Sequence, residues 1–145
     1  MRYRTTRETT ASPEQVWAAL TDVERWPDWM TSYTHVHRLD RGPLGVGSTA
    51  KVQQPGLREA VFRVNELIPN AEFTWTTSTA GIRTTARHVV MPRVGGGTGI
   101  ELQVNQQGLL APLVGLLLSR RIRRFLTTEA EGLCRAAEAG AIPGP

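Results

Sequence analysis

Through five successive segments of this chain the apolar residues keep to every second position, and nothing in the sequence restricts the fold more. Ala50 and Val52, then Ala60, Phe62 and Val64, then Phe73 and Trp75, then Ala86, His88 and Val90, then Ile100, Leu102 and Val104 share one parity. Lys51, Gln53, Arg63, Asn65, Thr74, Arg87 and Glu101 hold the other. A period of two puts alternate side chains on opposite faces of a strand, so these segments read as a sheet with one buried face and one wet face. The turn signals RGPLGVG, QPG, PN, AG and VGGG separate strands expected over 33–39, 48–54, 59–67, 72–77, 82–92 and 98–106. Short links between such strands make an antiparallel meander. From residue 109 to about 139 the period becomes helical. Pro112 is tolerated near the start of that helix, and Gly140 and Pro143 end it.

The first forty residues complete the order. Residues 2–10, rich in Thr, read as an opening strand. Ser12, Pro13 and Gln15 make an N-cap, a first-turn proline and a capping box, and Val16, Trp17 and Leu20 follow at helical spacing. Asp22 is expected to cap a second short turn. Pro27 disfavours helix at Trp26, so the chain is expected to bend there. The expected class is therefore α+β: a curved antiparallel seven-stranded sheet, two short helices after the first strand, and one long C-terminal helix across the sheet.

A chain of 145 residues suits one domain, taken here as 1–145 with an ordered core of about 2–139. Its single cysteine, Cys134, allows no internal disulfide, and RYRTTRETT lacks the apolar stretch of a secretory signal, so a cytoplasmic location is expected. The longest apolar run, LLAPLVGLLL, is well short of the roughly 20 residues a membrane span needs. The formal net charge is +4, and Lys51 is the one lysine among 17 basic residues. Arg120, Arg121, Arg123 and Arg124 cluster, but the other arginines are scattered among acids without interleaved aromatics, so no nucleic-acid partner is expected.

Four stretches carry a resemblance to a known family: VWAALTDVERWPDWM, the turn GPLGVGST, PRVGGGTGIEL, and TEAEGLCRAAEAG in the closing helix. In that order they resemble the START-like (SRPBCC) superfamily of helix-grip proteins, in particular its bacterial polyketide cyclase/dehydrase branch, over about residues 2–139. The resemblance implies a helix-grip fold with a deep apolar cavity between the sheet and the long helix. Its members include lipid and hormone binders, aromatase/cyclases, hydroxylase subunits and stress proteins. They share no single catalytic set, so the resemblance implies a cavity and no mechanism.

The inner parity supplies the candidate walls: Ala50, Val52, Ala60, Phe62, Phe73, Trp75, Ala86, His88, Val90, Leu102 and Val104. Several are small and leave volume, unless aromatics from elsewhere fill it as ordinary core. On the long helix, Ala111, Gly115, Leu118, Ile122, Phe125 and Leu133 form one stripe, assigned to the sheet, with Ala111, Gly115 and Leu118 as candidate cavity residues. Of the two close tryptophans, one is expected in the core and the other, Trp29, against the cavity. Leu109, Leu110, Leu113, Leu116 and Leu117 form a second stripe. It reads as a lid near Trp29 and the Gly45–Gly47 turn, as a homodimer contact, or as a membrane-surface contact.

Candidates for chemistry are few. His88 has inward parity and is the candidate acid or base, with an ordinary buried core histidine as the alternative. Thr77, Gln54 and Tyr33 are candidates to orient a polar ligand. His35 and His37 share one side of a strand, without a carboxylate or cysteine at ligand spacing, so no metal is expected. Cys134 has no activating neighbour in sequence. The glycines sit in turns and open no helix, so no dinucleotide cofactor is expected. Three functions stay open: binding of a small hydrophobic or aromatic molecule, cyclisation or dehydration of a polyketide-like chain, and docking of a partner through the leucine stripe.

Overall fold

A computed structural model describes residues 1–79 and 81–140. Ala80 of the AG turn and Pro143 lie outside the described residues. Seven strands run β1 (Arg2–Thr9), β2 (His35–Arg38), β3 (Thr49–Gln53), β4 (Ala60–Ile68), β5 (Glu72–Thr79), β6 (Ile82–Pro92) and β7 (Thr98–Gln107). They form one antiparallel sheet in the order β1-β7-β6-β5-β4-β3-β2, so each strand after β2 pairs with its predecessor and β1 closes onto β7. Between β1 and β2 come α1 (Pro13–Thr21), a 3-10 turn (Val23–Arg25) and α2 (Trp26–Trp29). The last described element is α3 (Ala111–Gly140), about 45 Å long at 1.5 Å per residue. This is the expected helix-grip architecture.

The alternation is set by which side chains can leave water. On β3 to β7 the inner parity is buried or half-buried, and the outer parity carries Lys51, Arg63 and Arg87 into solvent. The parity has one break. Val64 faces Trp75 but Glu66 faces Thr74, so Asn65 is an extra residue in β4. This bulge bends the strand and turns Leu67, opposite Phe73, to the inner face in place of Glu66.

At α1 the capping box forms as expected: Gln15 N–H donates to Ser12 Oγ at 3.2 Å, and Ser12 N–H donates to Gln15 Oε1 at 2.8 Å. Two local expectations are corrected. Asp22 precedes the 3-10 turn but makes no side-chain cap bond to it. Trp26 is helical, with φ −53° and ψ −39°, and begins α2 rather than a bend. Pro27 sits in the first turn of α2, where its missing N–H has no helical acceptor to lose. Tertiary contacts override the bias against helix before proline: Trp26 Nε1–H donates to Leu20 O at 3.1 Å, and its ring is 1% exposed.

The helix α3 lies against β1 and β7 and is crossed by α1 and α2. Its core stripe contains the expected Ala111, Gly115 and Leu133, with Leu118, Ile122 and Phe125 half-buried. Leu126, Glu129, Ala130, Gly132, Ala136 and Ala137 are buried as well. The second stripe is not a lid. Leu109 is 96%, Leu116 79% and Leu117 70% exposed, and Trp29 packs far along the helix, against Gly132.

Candidate functional site in the helix–sheet interior

At the deep end of the interior the sheet supplies Phe73 and Trp75 from β5, Phe62 from β4 and His88 from β6. Trp26 enters from α2. Its ring centroid lies 5.1 Å from that of Tyr33, 5.2 Å from Trp75 and 5.6 Å from His88. The His88 ring stacks on Phe73 at 4.2 Å and 18°. Space beside the small residue Ala50, which is 1% exposed, is thus closed off at this end by large aromatic side chains. The expectation of one tryptophan in the core holds for Trp26.

Within this aromatic packing sits a buried polar group. Glu129 projects from α3 and is 5% exposed. Tyr33 Oη–H donates to Glu129 Oε2 at 3.0 Å. Glu129 Oε1 lies 3.6 Å from His88 Nε2, beyond a direct hydrogen bond but within ion-pair distance. His88 Nδ1–H donates to the Phe73 carbonyl at 3.1 Å, because a carbonyl oxygen only accepts. Burial, then the charge of Glu129 and its hydrogen bond, hold the Tyr33 phenol well above its ordinary pKa.

Sequence reasoning singled out His88 and Tyr33 and missed Glu129. A signal was present: Glu129 falls four residues from each of Phe125 and Leu133, on the stripe assigned to the sheet. Of the other polar candidates, Thr77 is buried, and Gln54 Nε2–H donates to Ser32 O at 3.3 Å. Cys134 is half-buried, and its thiol is pushed up by desolvation and then by the charge of Glu138. That is the opposite of activation. His35 and His37 are exposed on the outside of β2.

Toward the other end the inner face loosens. Ala60, Thr84, Ala86, Val104 and Gln106 are half-buried, as are Leu118 and Ile122 of α3. Gln106 Oε1, Tyr3 Oη and Ser32 Oγ are buried without a hydrogen-bond partner. The β3–β4 loop reaches α3 here, where Gly56 meets the Arg121 guanidinium. Three helix and turn candidates sit elsewhere. Gly115 packs on the Met1 side chain rather than opening onto an interior space. Ala111 is buried at the first turn of α3. Half-buried Trp29 turns its backbone to Gly132, and its carbonyl accepts from Arg135 at 2.9 Å. Two surface pockets, of about 440 Å³ by Trp17, Leu44 and Leu67 and about 480 Å³ by Ser78, Ile82 and Gln107, lie at opposite ends of the sheet. Neither lies between the sheet and α3.

The family model described as polyketide cyclase/dehydrase and lipid transport matches residues 1–138. The chain belongs to that family. Solved structures similar to this polyketide cyclase/dehydrase family chain share its fold at low identity. The Zhui aromatase/cyclase from a Streptomyces species superposes with TM-score 0.81 at 15% identity, covering 98% of this chain and 96% of that one. A Thermus thermophilus protein, TTHA0849, gives 0.79 at 15% identity, covering 98% and 100%. The di-domain ARO/CYC BexL gives 0.76 at 16% identity, and there this chain spans 48% of the larger protein. No curated protein matches this family member by sequence.

Proposed function

We propose that the protein binds a small hydrophobic or aromatic molecule, polyketide-like or lipid-like, between the sheet and α3. The carrying observation is the gradient along the inner face. A closed aromatic end holding Tyr33, Glu129 and His88 gives way to a half-buried band at Ala60, Ala86, Val104, Leu118 and Ile122. Such a band offers apolar walls with a few polar groups to orient a guest, Gln106 Oε1 among them. The match to a family of cyclases, dehydrases and lipid transporters supports the same reading.

A second reading, cyclisation or dehydration of a polyketide-like chain, is favoured by one observation. Two side chains of acid–base type, His88 and Glu129, lie 3.6 Å apart in a buried site, close enough for one bridging water or a substrate hydroxyl to link them. In that reading the walls fold the substrate and the pair moves protons.

Native mass spectrometry of the purified protein, followed by extraction of whatever is bound, tests the binding reading. A co-purifying apolar molecule is the expected result. An empty protein that also fails to take up a panel of polycyclic aromatic dyes overturns it. With a ligand in hand, His88→Asn and Glu129→Gln separate the two readings. Unchanged binding with lost turnover supports an enzyme, and unchanged chemical composition of the ligand in the parent protein supports a carrier.

A further inference from the structure

The two ends of the molecule differ in charge and in greasiness. Leu110 abuts Gly81 of the β5–β6 turn, Gly115 abuts Met1, and Arg121 abuts Gly56. The first half of α3 therefore shares one pole with the start of β1, the end of β7, the β5–β6 turn and the β3–β4 loop. This pole exposes Leu109 (96%), Leu116 (79%), Leu117 (70%) and Leu113 (52%). At 100° per residue Leu113, Leu117, Arg120 and Arg124 lie along one line of the helix, with Arg121 and Arg123 on its flanks. Arg120 follows Leu113 by about 10 Å. Among the described loops and strand ends that meet here, the carboxylate is Glu59, and Arg58 is its neighbour. Glu14, Asp22, Glu24, Asp28, Glu131 and Glu138 belong to α1, the turn, α2 and the far half of α3.

We infer that this pole docks on an anionic lipid surface, with the leucines in the interface and the arginines at headgroup level. Leucines inserted to the usual 5–10 Å would leave arginines about 10 Å behind among the phosphates. A cluster of four arginines suits such a surface. A second copy of the chain suits this face less. A two-fold contact sets the same patch against itself, so both arginine clusters would meet with few carboxylates to offset them. No helix of the described residues is long and apolar enough to cross a membrane, so contact is peripheral. The inference is independent of what the interior binds.

Co-sedimentation of the full chain with vesicles tests it, using phosphatidylcholine alone and phosphatidylcholine mixed with phosphatidylglycerol. The chain is expected to bind the mixed vesicles at low salt and to release as salt rises. Leu113→Ser, Leu116→Ser and Leu117→Ser together should weaken binding by at least about tenfold. Arg120→Gln with Arg124→Gln should weaken it by about 30-fold, at about one kcal/mol for each arginine, and reduce the preference for the anionic lipid. All five positions are exposed, and circular dichroism verifies folding of both variants. Failure of the parent chain to bind the mixed vesicles overturns the inference, as does binding that survives the serine variant. A concentration-dependent dimer that the serine variant dissolves, with no vesicle binding, assigns the face to a second copy instead.

Discussion

Tyr33 donates its one proton to a carboxyl group that is itself 5% exposed, and both ends of that bond would suffer if it were broken. Tyr33→Phe leaves Glu129 Oε2 without its donor and should cost about 1.5–3 kcal/mol in urea unfolding at neutral pH. The pH dependence has a definite sign. The folded-state pKa of Tyr33 is raised, mainly by burial and then by Glu129, so its contribution is complete below about pH 10 and is lost as pH rises beyond it. Between about pH 10 and 12 the parent protein should lose stability more steeply than Tyr33→Phe. Equal slopes would show that the phenol ionises as easily folded as unfolded. At this scale the sequence was partly legible. Strand parity placed His88 inside. It placed Glu129 nowhere, because a single glutamate on an apolar helix stripe is read as surface until a partner such as Tyr33, 96 residues away in the chain, is brought to it.

The helix packing turns on two glycines with opposite prospects. A Cβ on Gly132 would lie 2.4 Å from Trp29 O and 2.7 Å from Met30 Cγ, and the backbone of α2 cannot step aside cheaply. Gly132→Ala should destabilise by about 1–3 kcal/mol from overpacking, offset in part by about 1 kcal/mol of helix propensity. A Cβ on Gly115 meets only the flexible Met1 side chain, 2.6 Å from its Cε. There the propensity gain should prevail, and Gly115→Ala should stabilise by up to about 1 kcal/mol. Thermal melts of the two variants should shift in opposite directions. Shifts of the same sign would mean that α2 yields or that Met1 does not. Element identity was legible because β3 to β7 keep period two and α3 keeps 3.6. The exceptions were tertiary. Trp26 is helical despite the following proline because its ring is captured by Phe73, Trp75 and Tyr33. The bulge at Asn65 reversed the parity of Leu67 without any glycine to announce it.

For the molecule as a whole, small inner residues could not reveal what would occupy the space they left, since α2 lies outside the alternating pattern. If a guest occupies the looser half of the interior, it stabilises the folded chain by mass action. A ligand at 100 times its Kd adds about 2.7 kcal/mol, which raises the Tm of a chain this size by roughly 10 °C. A polycyclic aromatic that binds by fluorescence yet leaves the Tm unchanged would be sitting on the surface or on the unfolded chain. The sheet order has a further consequence, in time rather than in space. Among the described residues strand β1 pairs with β7 alone, from Arg2 opposite Asn105 to Thr9 opposite Thr98. Of the seven strands, β1 thus waits longest for its partner. At ribosomal rates of 5–20 residues per second, the roughly 90 residues between them take about 5–20 s to synthesise. For that interval the nascent chain carries an unzipped strand, so cellular yield should depend on what shelters β1 until β7 clears the exit tunnel.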